Sequence, residues 1–429
     1  MTDVDADFFR DPELLVEPFA YFDAVREQCP VWREGHHDVV LITGYDEAVE
    51  VYNDAETFSS CLSVTGPFPG FPVPLEGDDV TQLIVEHRDG LPMSDQLPTL
   101  DPPVHSDHRA LLMRLITPKR LKENEDSMWQ LADRQLDGFL AAGRGEFIGG
   151  FAAPFTLLVI ADLLGVPEQD RAALADELGH RPRSEGGIGS IGDDTLALSP
   201  LEYLYRRFTA YVEDRRRQPR DDVLTGLASA TFPDGSTPEV VDVVRVAANL
   251  FAAGQETTVR LLSSALRVIA ERPDIQQALR ADRTRIPNFV EEILRTESPV
   301  KGDFRLSRVP TEVGGVGLAA GTTVMVVNGA ANRDPRHFAD PATVDVDRAN
   351  ARQHLAFGRG IHTCPGAPLA RAEARVCLER LLDRTTDIRI SQQHHGPAED
   401  RDFRYLPSFI LRGLNRLYLE FTVARAQGS

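Results

Sequence analysis

Cysteine is scarce in this sequence, and its scarcity excludes several kinds of site. The 429 residues contain four cysteines, too few for a disulfide framework and without the close spacing of a zinc or iron–sulfur cluster. They are Cys29, Cys61, Cys364 and Cys377. This sparing use of cysteine is typical of proteins in a reducing compartment, and we expect a cytoplasmic protein.

Long apolar runs and an excess of positive charge are also missing. No uninterrupted apolar stretch of about 18 residues occurs, so the sequence predicts no membrane span. The acidic start at residues 1–11 does not resemble a signal peptide. The 46 basic and 66 acidic residues give a formal net charge of −20, which argues against nucleic acid as a partner. A hydrophobic content of 42% is ordinary for a globular protein.

The apolar pattern predicts a mostly helical chain with a minor sheet. Helical patterns cover 154–164, 167–180, 200–217 and 238–271, the last with Thr237 as its cap. Strand patterns cover 39–42, 322–327 and 416–421. We expect loops at 61–100 and 181–198, which are rich in proline, glycine or serine.

One segment, FGRGIHTCPG at residues 357–366, presents a cysteine on a glycine-rich loop before a predicted helix. Free N–H groups at a helix start stabilise the thiolate of Cys364, and glycine lets the backbone wrap closely around the sulfur. The alternative is a buried free cysteine beside a turn. A lone thiolate suits the axial position of haem iron, where it donates electron density that favours O–O cleavage.

This segment resembles the haem-binding loop of the cytochrome P450 family, whose pattern is Phe-Gly-any-Gly-any-His or Arg-any-Cys-any-Gly, and every fixed position is met. The resemblance implies a mainly α fold with a minor β component, formed as a single triangular, helix-rich domain over residues 1–429. It also implies haem b as the cofactor, with Cys364 as the axial ligand of the iron.

A second motif lies in the long predicted helix, where residues 252–258 read AAGQETT. Gly254 costs about 1 kcal/mol relative to alanine inside a helix, and threonine hydroxyls compete for backbone carbonyls, so a groove can open here. The motif resembles the family's oxygen-activation sequence, and on that match Glu256 is the acid and Thr257 the hydroxyl of a proton path. Many relatives have Asp in place of Glu256. The alternative is that these residues only shape the helix.

Haem carries two propionates, and the resemblance implies four residues that contact them. His105 and Arg109 lie four apart on one helical face, Arg305 lies in the last third of the chain, and His362 lies two residues before the cysteine. Arginine is well suited to this contact because it donates two parallel hydrogen bonds to a carboxylate.

Glu292 and Arg295 are three apart on one predicted helix and resemble the family's Glu-any-any-Arg pair, with Arg348 as the third member. We interpret the three as structural support for the haem-binding core, and the alternative is a surface ion pair of little energetic value. We expect His354 to pack or hydrogen-bond locally and His108 to face solvent.

The resemblance places the substrate pocket among residues 61–100, 181–200, 247–253, 300–304 and 408–410, which are largely apolar. Within these segments Lys301 and Asp303 either meet a polar substrate or face water, and we expect them to face water.

The predicted activity is a monooxygenase that inserts one atom of O2 into a small organic substrate by hydroxylation or epoxidation. The chain has no flavin or iron–sulfur domain, so electrons are expected from a ferredoxin and its NAD(P)H-dependent reductase. Basic residues that could contact the ferredoxin are Arg109, Arg114, Lys119, Arg120 and Lys122. A peroxide-driven haem enzyme and a non-catalytic haem-binding sensor are the alternatives, and the Glu256–Thr257 pair argues against both.

Overall fold

The computed structural model describes residues 3–179 and 199–424, so the predicted loop at 181–198 lies outside the described residues. Helices form most of the described chain, as the sequence predicts. In chain order they are α1 Pro12–Val16, α2 Phe19–Gln28, α3 Tyr45–Asn53, α4 Thr81–His87, α5 Val104–Leu115, α6 Pro118–Leu140, α7 Ala153–Leu163, α8 Glu168–Gly179, α9 Ser199–Arg217, α10 Val223–Ala228, α11 Val240–Glu271, α12 Pro273–Ala281, α13 Ile286–Glu297, α14 Asn328–Ala331, α15 Ala367–Arg384 and α16 Gln392–His395.

The start of α11 differs from the prediction. Glu239, not Thr237, is the cap: its side chain accepts the backbone N–H of Asp242, and the Asp242 carboxylate accepts the N–H of Glu239 at 3.2 Å. This reciprocal pair satisfies two N–H groups that a helix start leaves free. Pro238 lies before the first turn, and its carbonyl accepts a hydrogen bond from Arg216 at 2.8 Å.

The strands of the described chain form three small sheets. They are β1 Val31–Arg33, β2 Val40–Ile42, β3 Phe58–Ser59, β4 Arg144–Glu146, β5 Asp303–Ser307, β6 Thr311–Val313, β7 Val316–Leu318, β8 Thr323–Val326, β9 Thr385–Ile390 and β10 Tyr418–Val423. The largest sheet has the order β1-β2-β8-β5-β3, with β2 parallel to β8 and the other pairs antiparallel. This order joins the beginning of the chain to its last third, and β10 joins β4 to β9 in the same way.

The predicted strands at 39–42, 322–327 and 416–421 are confirmed as β2, β8 and β10, with small shifts at their ends. The four predicted helices are confirmed as α7, α8, α9 and α11. The segment 61–100 is more ordered than expected, because it contains α4 and two short 3-10 turns. Val80 and Ile84 anchor α4, since both are buried in an apolar cluster beside the largest sheet.

The main apolar core surrounds α11, which contacts α7, α9, α13 and α15. Most of α11 is buried along residues 243–251 and 258–269. Between these stretches, at residues 252–257, the side chains are half-buried or exposed. All of the AAGQETT motif except Thr258 therefore lies in the less covered stretch between the two buried parts of α11. Within the described ranges, every helix is too short or too polar to cross a membrane.

Candidate active site

The loop that carries Cys364 is held in shape by two glycines and one backbone hydrogen bond. Gly358 and Gly360 have φ angles of +64° and +67°, in the left-handed region that favours glycine. A Cβ on Gly360 would also lie 2.2 Å from the carbonyl oxygen of Tyr52, so no other residue fits there. The Cys364 N–H donates to the carbonyl of Phe357 at 2.8 Å, and this bond closes the loop just before α15 begins.

The electrostatic environment of Cys364 contains opposing effects. Burial raises the pKa of the Cys364 thiol, while the backbone N–H groups of Gly366 and Ala367 and the charge of Arg109 lower it. Burial is the larger effect, so the pKa lies above its ordinary value. The predicted stabilisation of the thiolate by the helix start is present but does not prevail in the protein alone. Coordination to a cation would supply the remaining stabilisation, since metal binding displaces the thiol proton.

The four residues expected to bind the propionates lie together, and we call them the cation cluster: His105, Arg109, Arg305 and His362. The rings of His105 and His362 are 4.1 Å apart between centroids. Arg109 donates to the carbonyl of Thr363 at 2.6 Å, which ties α5 to the cysteine loop. Arg305, on β5, is buried and lies 3.0 Å from a carboxylate oxygen of Asp303.

The cation cluster has hydrogen-bonding capacity that other described residues do not use. His105 is buried, yet neither Nδ1 nor Nε2 has a hydrogen-bond partner. Burial, followed by the charge of Arg109, lowers the pKa of His105 to about 4. Burial and the charge of Arg305 lower the pKa of His362 to about 2. Neutral imidazoles beside two guanidinium groups form a donor set that fits an anionic group, and haem with its propionates and iron fits this set together with Cys364.

Two residues near this site were not predicted from sequence. The Ser60 hydroxyl lies 3.0 Å from Nε2 of His362, and the Ser60 N–H donates to Asp101 at 2.8 Å. Asp101 also pairs with Arg308 at 2.8 Å. Asp101 lies just before α5, and neither Asp101 nor Ser60 had a local sequence signal, because their contacts join positions that are distant in sequence.

The AAGQETT motif remains helical throughout, so the expected groove is not a break in α11. The Thr257 hydroxyl donates to the carbonyl of Ala253 at 2.8 Å. The Glu256 side chain is 50% exposed and forms an ion pair with Arg260, which is buried. Glu256 and Thr257 are therefore adjacent in the chain, while their side chains bond to different partners.

Glu292, Arg295 and Arg348 form a buried set that we call the glutamate network. Glu292 and Arg295 are fully buried and joined by two hydrogen bonds of 2.6 and 3.0 Å, and Arg348 donates to the same carboxylate at 3.0 Å. Arg295 also donates to the carbonyls of Asn332, Pro341 and Thr343. The surface-pair alternative is excluded, since the network ties α13 to the segment before the cysteine loop.

A second buried carboxylate, Glu291, was missed. Arg371 of α15 donates to it through two nitrogens at 2.7 and 2.9 Å, and Nε2 of His354 lies 3.0 Å away. Nδ1 of His354 accepts the N–H of Ala356, so the ring proton is on Nε2 and is donated to Glu291. Burial alone would raise the pKa of Glu291, but the bonds from His354 and Arg371 outweigh it and lower the pKa to about 2. The local role expected for His354 is confirmed.

Two expectations about solvent exposure were wrong. His108 is mostly buried: Nδ1 bonds to the carbonyl of Val104 at 3.0 Å, and Nε2 lies 3.5 Å from Asp242. Lys301 is fully buried, donates to the carbonyl of Leu15 at 2.6 Å, and has a pKa well below its ordinary value because of burial. Asp303 pairs with Arg305, and burial raises its pKa. The contacts of His108 with Asp242 and of Lys301 with Leu15 join distant segments that no local pattern connects.

Comparisons with known proteins agree with this geometry. Residues 202–400 match the family model described as cytochrome P450. The chain is 34% identical to Cytochrome P450 144 of Mycobacterium tuberculosis over 97% of this chain and 91% of that protein. It is 31% identical to the 6-deoxyerythronolide B hydroxylase of Saccharopolyspora erythraea, with 97% of each covered. The structure of substrate-free CYP150A6 of Mycobacterium marinum superposes with a TM-score of 0.92 and 56% identity, covering 98% of this chain and 99% of that one.

Proposed function

Because this chain belongs to the cytochrome P450 family and is a haem-thiolate monooxygenase, we propose that it binds haem b through Cys364 and oxidises a small organic substrate by hydroxylation or epoxidation. The observation that carries the residue assignment is the cation cluster beside the cysteine loop, with both ring nitrogens of buried His105 unpaired. We further propose that residues 1–429 form one catalytic domain in the cytoplasm. The sheet pairing of distant segments and the four free cysteines support this.

In this proposal each chain residue has a separate task. Cys364 supplies the sulfur ligand, and the N–H groups of Gly366 and Ala367 orient toward it. Arg109, Arg305, His105 and His362 hold the two propionates through charge-assisted hydrogen bonds. Haem bound at Cys364 would supply the chemistry for O2 activation and for transfer of one oxygen atom to the substrate.

Thr257 and Glu256 are proposed to control protons on the side of α11 that is least covered. The Thr257 hydroxyl, oriented by the Ala253 carbonyl, holds a proton at Oγ1 next to the half-buried stretch 252–257. Glu256, half-exposed and held by Arg260, exchanges protons with solvent and passes them inward after its carboxylate leaves the ion pair. The longer Glu side chain permits this movement, and Arg260 controls where the carboxylate rests.

Electrons are proposed to come from a ferredoxin and its NAD(P)H-dependent reductase. Lys119 and Lys122 are exposed at the start of α6. Lys119 makes only a long, exposed ion pair of 3.8 Å with Glu123, so both lysines can turn toward an acidic partner. Arg120 donates to the carbonyl of Leu163 at 2.8 Å, and Arg109 serves the cysteine loop, so these two are assigned to structure and haem binding. Electron-transfer encounters need only a small interface, which fits a short basic patch.

The experiment measures product, NADPH consumption and hydrogen peroxide in one reaction, with a substrate first identified by its low- to high-spin shift of the Soret band. We expect Thr257→Ala to bind substrate and accept electrons but to divert them to peroxide. General acid assistance is worth about 100-fold or more, so the ratio of product to NADPH should fall steeply. Thr257→Ser, which keeps the hydroxyl, is the matched control and should keep most of the coupling.

Glu256→Gln should instead slow the whole cycle, because proton supply becomes limiting while coupling is retained. Equal loss of product and NADPH consumption in Thr257→Ala, without peroxide, would show that Thr257 only shapes the helix. Turnover with peroxide alone that is unchanged in Thr257→Ala would favour the peroxide-driven enzyme. Absence of any spin shift across a broad substrate panel would favour the sensor.

A further inference from the structure

A group of metal-ligating side chains lies far along the chain from the cysteine loop, at the junction between the N-terminal segment and the β1–β2 hairpin. Asp7, Glu34 and His37 each offer one ligand atom, and these atoms all lie within 4.8 Å of one another. Nε2 of His37 is 3.0 Å from both carboxylate oxygens of Asp7. Asp7 precedes α1, while Glu34 and His37 belong to the turn between β1 and β2.

Glu34 is the unusual member of this group. It is only 2% exposed, and its Oε1 has no hydrogen-bond partner in the described chain. Its Oε2 accepts the backbone N–H of His37 at 2.7 Å. The nearest arginine in sequence, Arg33, instead donates to Asp38 at 2.5 Å. A buried carboxylate oxygen without a donor is costly unless a cation or a proton satisfies it.

Tyr21 adds a second unpaired polar atom. Its side chain is fully buried, and its hydroxyl oxygen has no hydrogen-bond partner. Burial is the main cause that raises the pKa of Tyr21, and the negative charges of Glu34 and Asp7 add to it. The junction therefore concentrates negative charge and lone pairs at one place.

We propose that Asp7, Glu34 and His37 bind one divalent transition-metal ion. One imidazole and two carboxylates are a ligand set that Zn²⁺ and its neighbours in the first transition row accept in proteins. Two carboxylates and a neutral imidazole carry a charge that a divalent ion balances. No residue of this group contributes to the proposed haem site, so metal binding can be measured separately from haem binding.

The observed distances suit coordination with little rearrangement. Two ligand atoms that each lie about 2.1 Å from one tetrahedral ion are about 3.4 Å apart. Nε2 of His37 and the Asp7 oxygens, which lie 3.0 Å apart, would therefore separate by a few tenths of an ångström to admit the ion. Backbone hydrogen bonds also orient the two carboxylate ligands: Asp7 accepts the N–H of Phe9 at 3.1 Å, and Glu34 accepts the N–H of His37. Such supporting bonds fix ligand positions in metal sites.

Binding would fasten the first residues of the chain to the hairpin and to the segment 61–100. The His37 ring contacts Phe9 and Phe68 at 5.6 and 5.0 Å between centroids, and Phe9 also contacts Phe304 and Phe409. Phe68 belongs to a segment proposed to line the substrate pocket. The ion would therefore restrain Phe68 through His37 and Phe9, without contacting substrate. Asp7 and His37 are partly exposed, which gives an ion a route of entry.

The test uses the haem-loaded full chain, stripped with a chelator and titrated with Zn²⁺ alone by calorimetry. We expect one ion per chain, a rise in melting temperature, and reversal of both by the chelator. His37→Ala, Glu34→Gln and Asp7→Asn should each weaken binding by at least about 10-fold. His36→Ala is the matched control, because His36 is the adjacent exposed histidine and bonds to the carbonyl of Asp5; it should bind like wild type.

The variants keep the outcome decisive even if Glu34→Gln does not fold. Asp7 lies on a partly exposed segment, so Asp7→Asn should retain haem and the wild-type absorption spectrum while losing Zn²⁺. Equal Zn²⁺ affinity in wild type and His37→Ala would overturn the proposal, and so would the absence of binding to wild type. Equal losses in His36→Ala and His37→Ala would show that Zn²⁺ binds the acidic surface in general, which also overturns it.

Discussion

The glutamate network and the cation cluster both bury charged or polar side chains, but they differ in how their hydrogen bonds are completed. In the glutamate network, the Glu292 carboxylate accepts from both arginines and from the N–H of Asp345, and Arg295 also donates to three carbonyls. In the cation cluster, both nitrogens of His105 lack partners within the described chain. The charged groups of the glutamate network are hydrogen-bonded to one another and to the backbone, whereas the cation cluster keeps hydrogen-bonding nitrogens that no described residue uses.

This difference indicates that the glutamate network supports the fold and that the cation cluster binds a ligand. A closed network lowers the free energy of the folded chain only while every partner is present, because any deletion leaves an uncompensated charge. An open cluster adds little to the stability of the protein alone, since its unpaired groups are desolvated without compensation. The cation cluster contributes to stability only when an anionic group binds to it. Substitutions should therefore reduce folding stability in the glutamate network and cofactor retention in the cation cluster.

The largest effect is expected for Glu292→Ala. It leaves two buried guanidinium groups without their carboxylate, which costs about 3–5 kcal/mol of unfolding free energy. Urea unfolding followed by circular dichroism measures this loss. Arg285→Ala is the control, because Arg285 and Asp282 have the same i, i+3 spacing in an exposed pair 3.7 Å apart, where the cost should stay below about 1 kcal/mol. Similar losses in both variants would contradict the role of burial.

A smaller, pH-dependent effect is expected for Glu291→Gln. The folded pKa of Glu291 is lowered from 4.5 to about 2, so its charge contributes stability above pH 4.5 that is lost as the pH falls toward 2. The wild type should therefore approach the variant in stability by about 1 kcal/mol between pH 6 and pH 3.5. Unfolding titrations at these two pH values measure the difference. A constant gap would mean that Glu291 has the same pKa in the folded and the unfolded protein.

The cation cluster should respond differently to His105→Ala. Haem should transfer to a scavenging protein about 10-fold faster, since one charge-assisted hydrogen bond to a propionate is lost. Thiolate ligation, read from the spectrum of the reduced carbon monoxide complex, should be unchanged. His108→Ala, on the same helix and bonded elsewhere, is the control and should leave the transfer rate close to wild type. Equal acceleration in both variants would point to a general loosening of α5.

The smallest effect is expected for Asp303→Asn, and it has the opposite sign. Asp303 lies 3.0 Å from Arg305 and competes with a propionate for its guanidinium. Removing the carboxylate charge should slow haem transfer by a few-fold, because Arg305 is then free to bind the propionate. Haem-transfer rates compared with wild type measure this. Faster transfer would indicate that Asp303 positions Arg305 and does not compete with it.

The sequence by itself determined the features that depend on neighbours in the chain. The cysteine loop follows from Gly358 and Gly360, since their left-handed backbone angles are local properties of the chain. The course of α11 follows from its apolar period, and the pairing of Glu292 with Arg295 follows from their spacing on one helix face. These inferences needed only backbone geometry and the family pattern.

Only the tertiary structure decided which distant groups meet. Three contacts join segments that no sequence period or motif connects. They are Ser60 with His362, Arg371 with Glu291, and buried Lys301 with the carbonyl of Leu15. The same is true of the separate partners of Glu256 and Thr257. Hydrogen-bond partners of buried groups are chosen by packing, because a desolvated donor or acceptor bonds to whatever the fold brings within about 3 Å. The sequence shows which donors and acceptors the chain carries, and the packing of the folded chain determines which partner each of them bonds to.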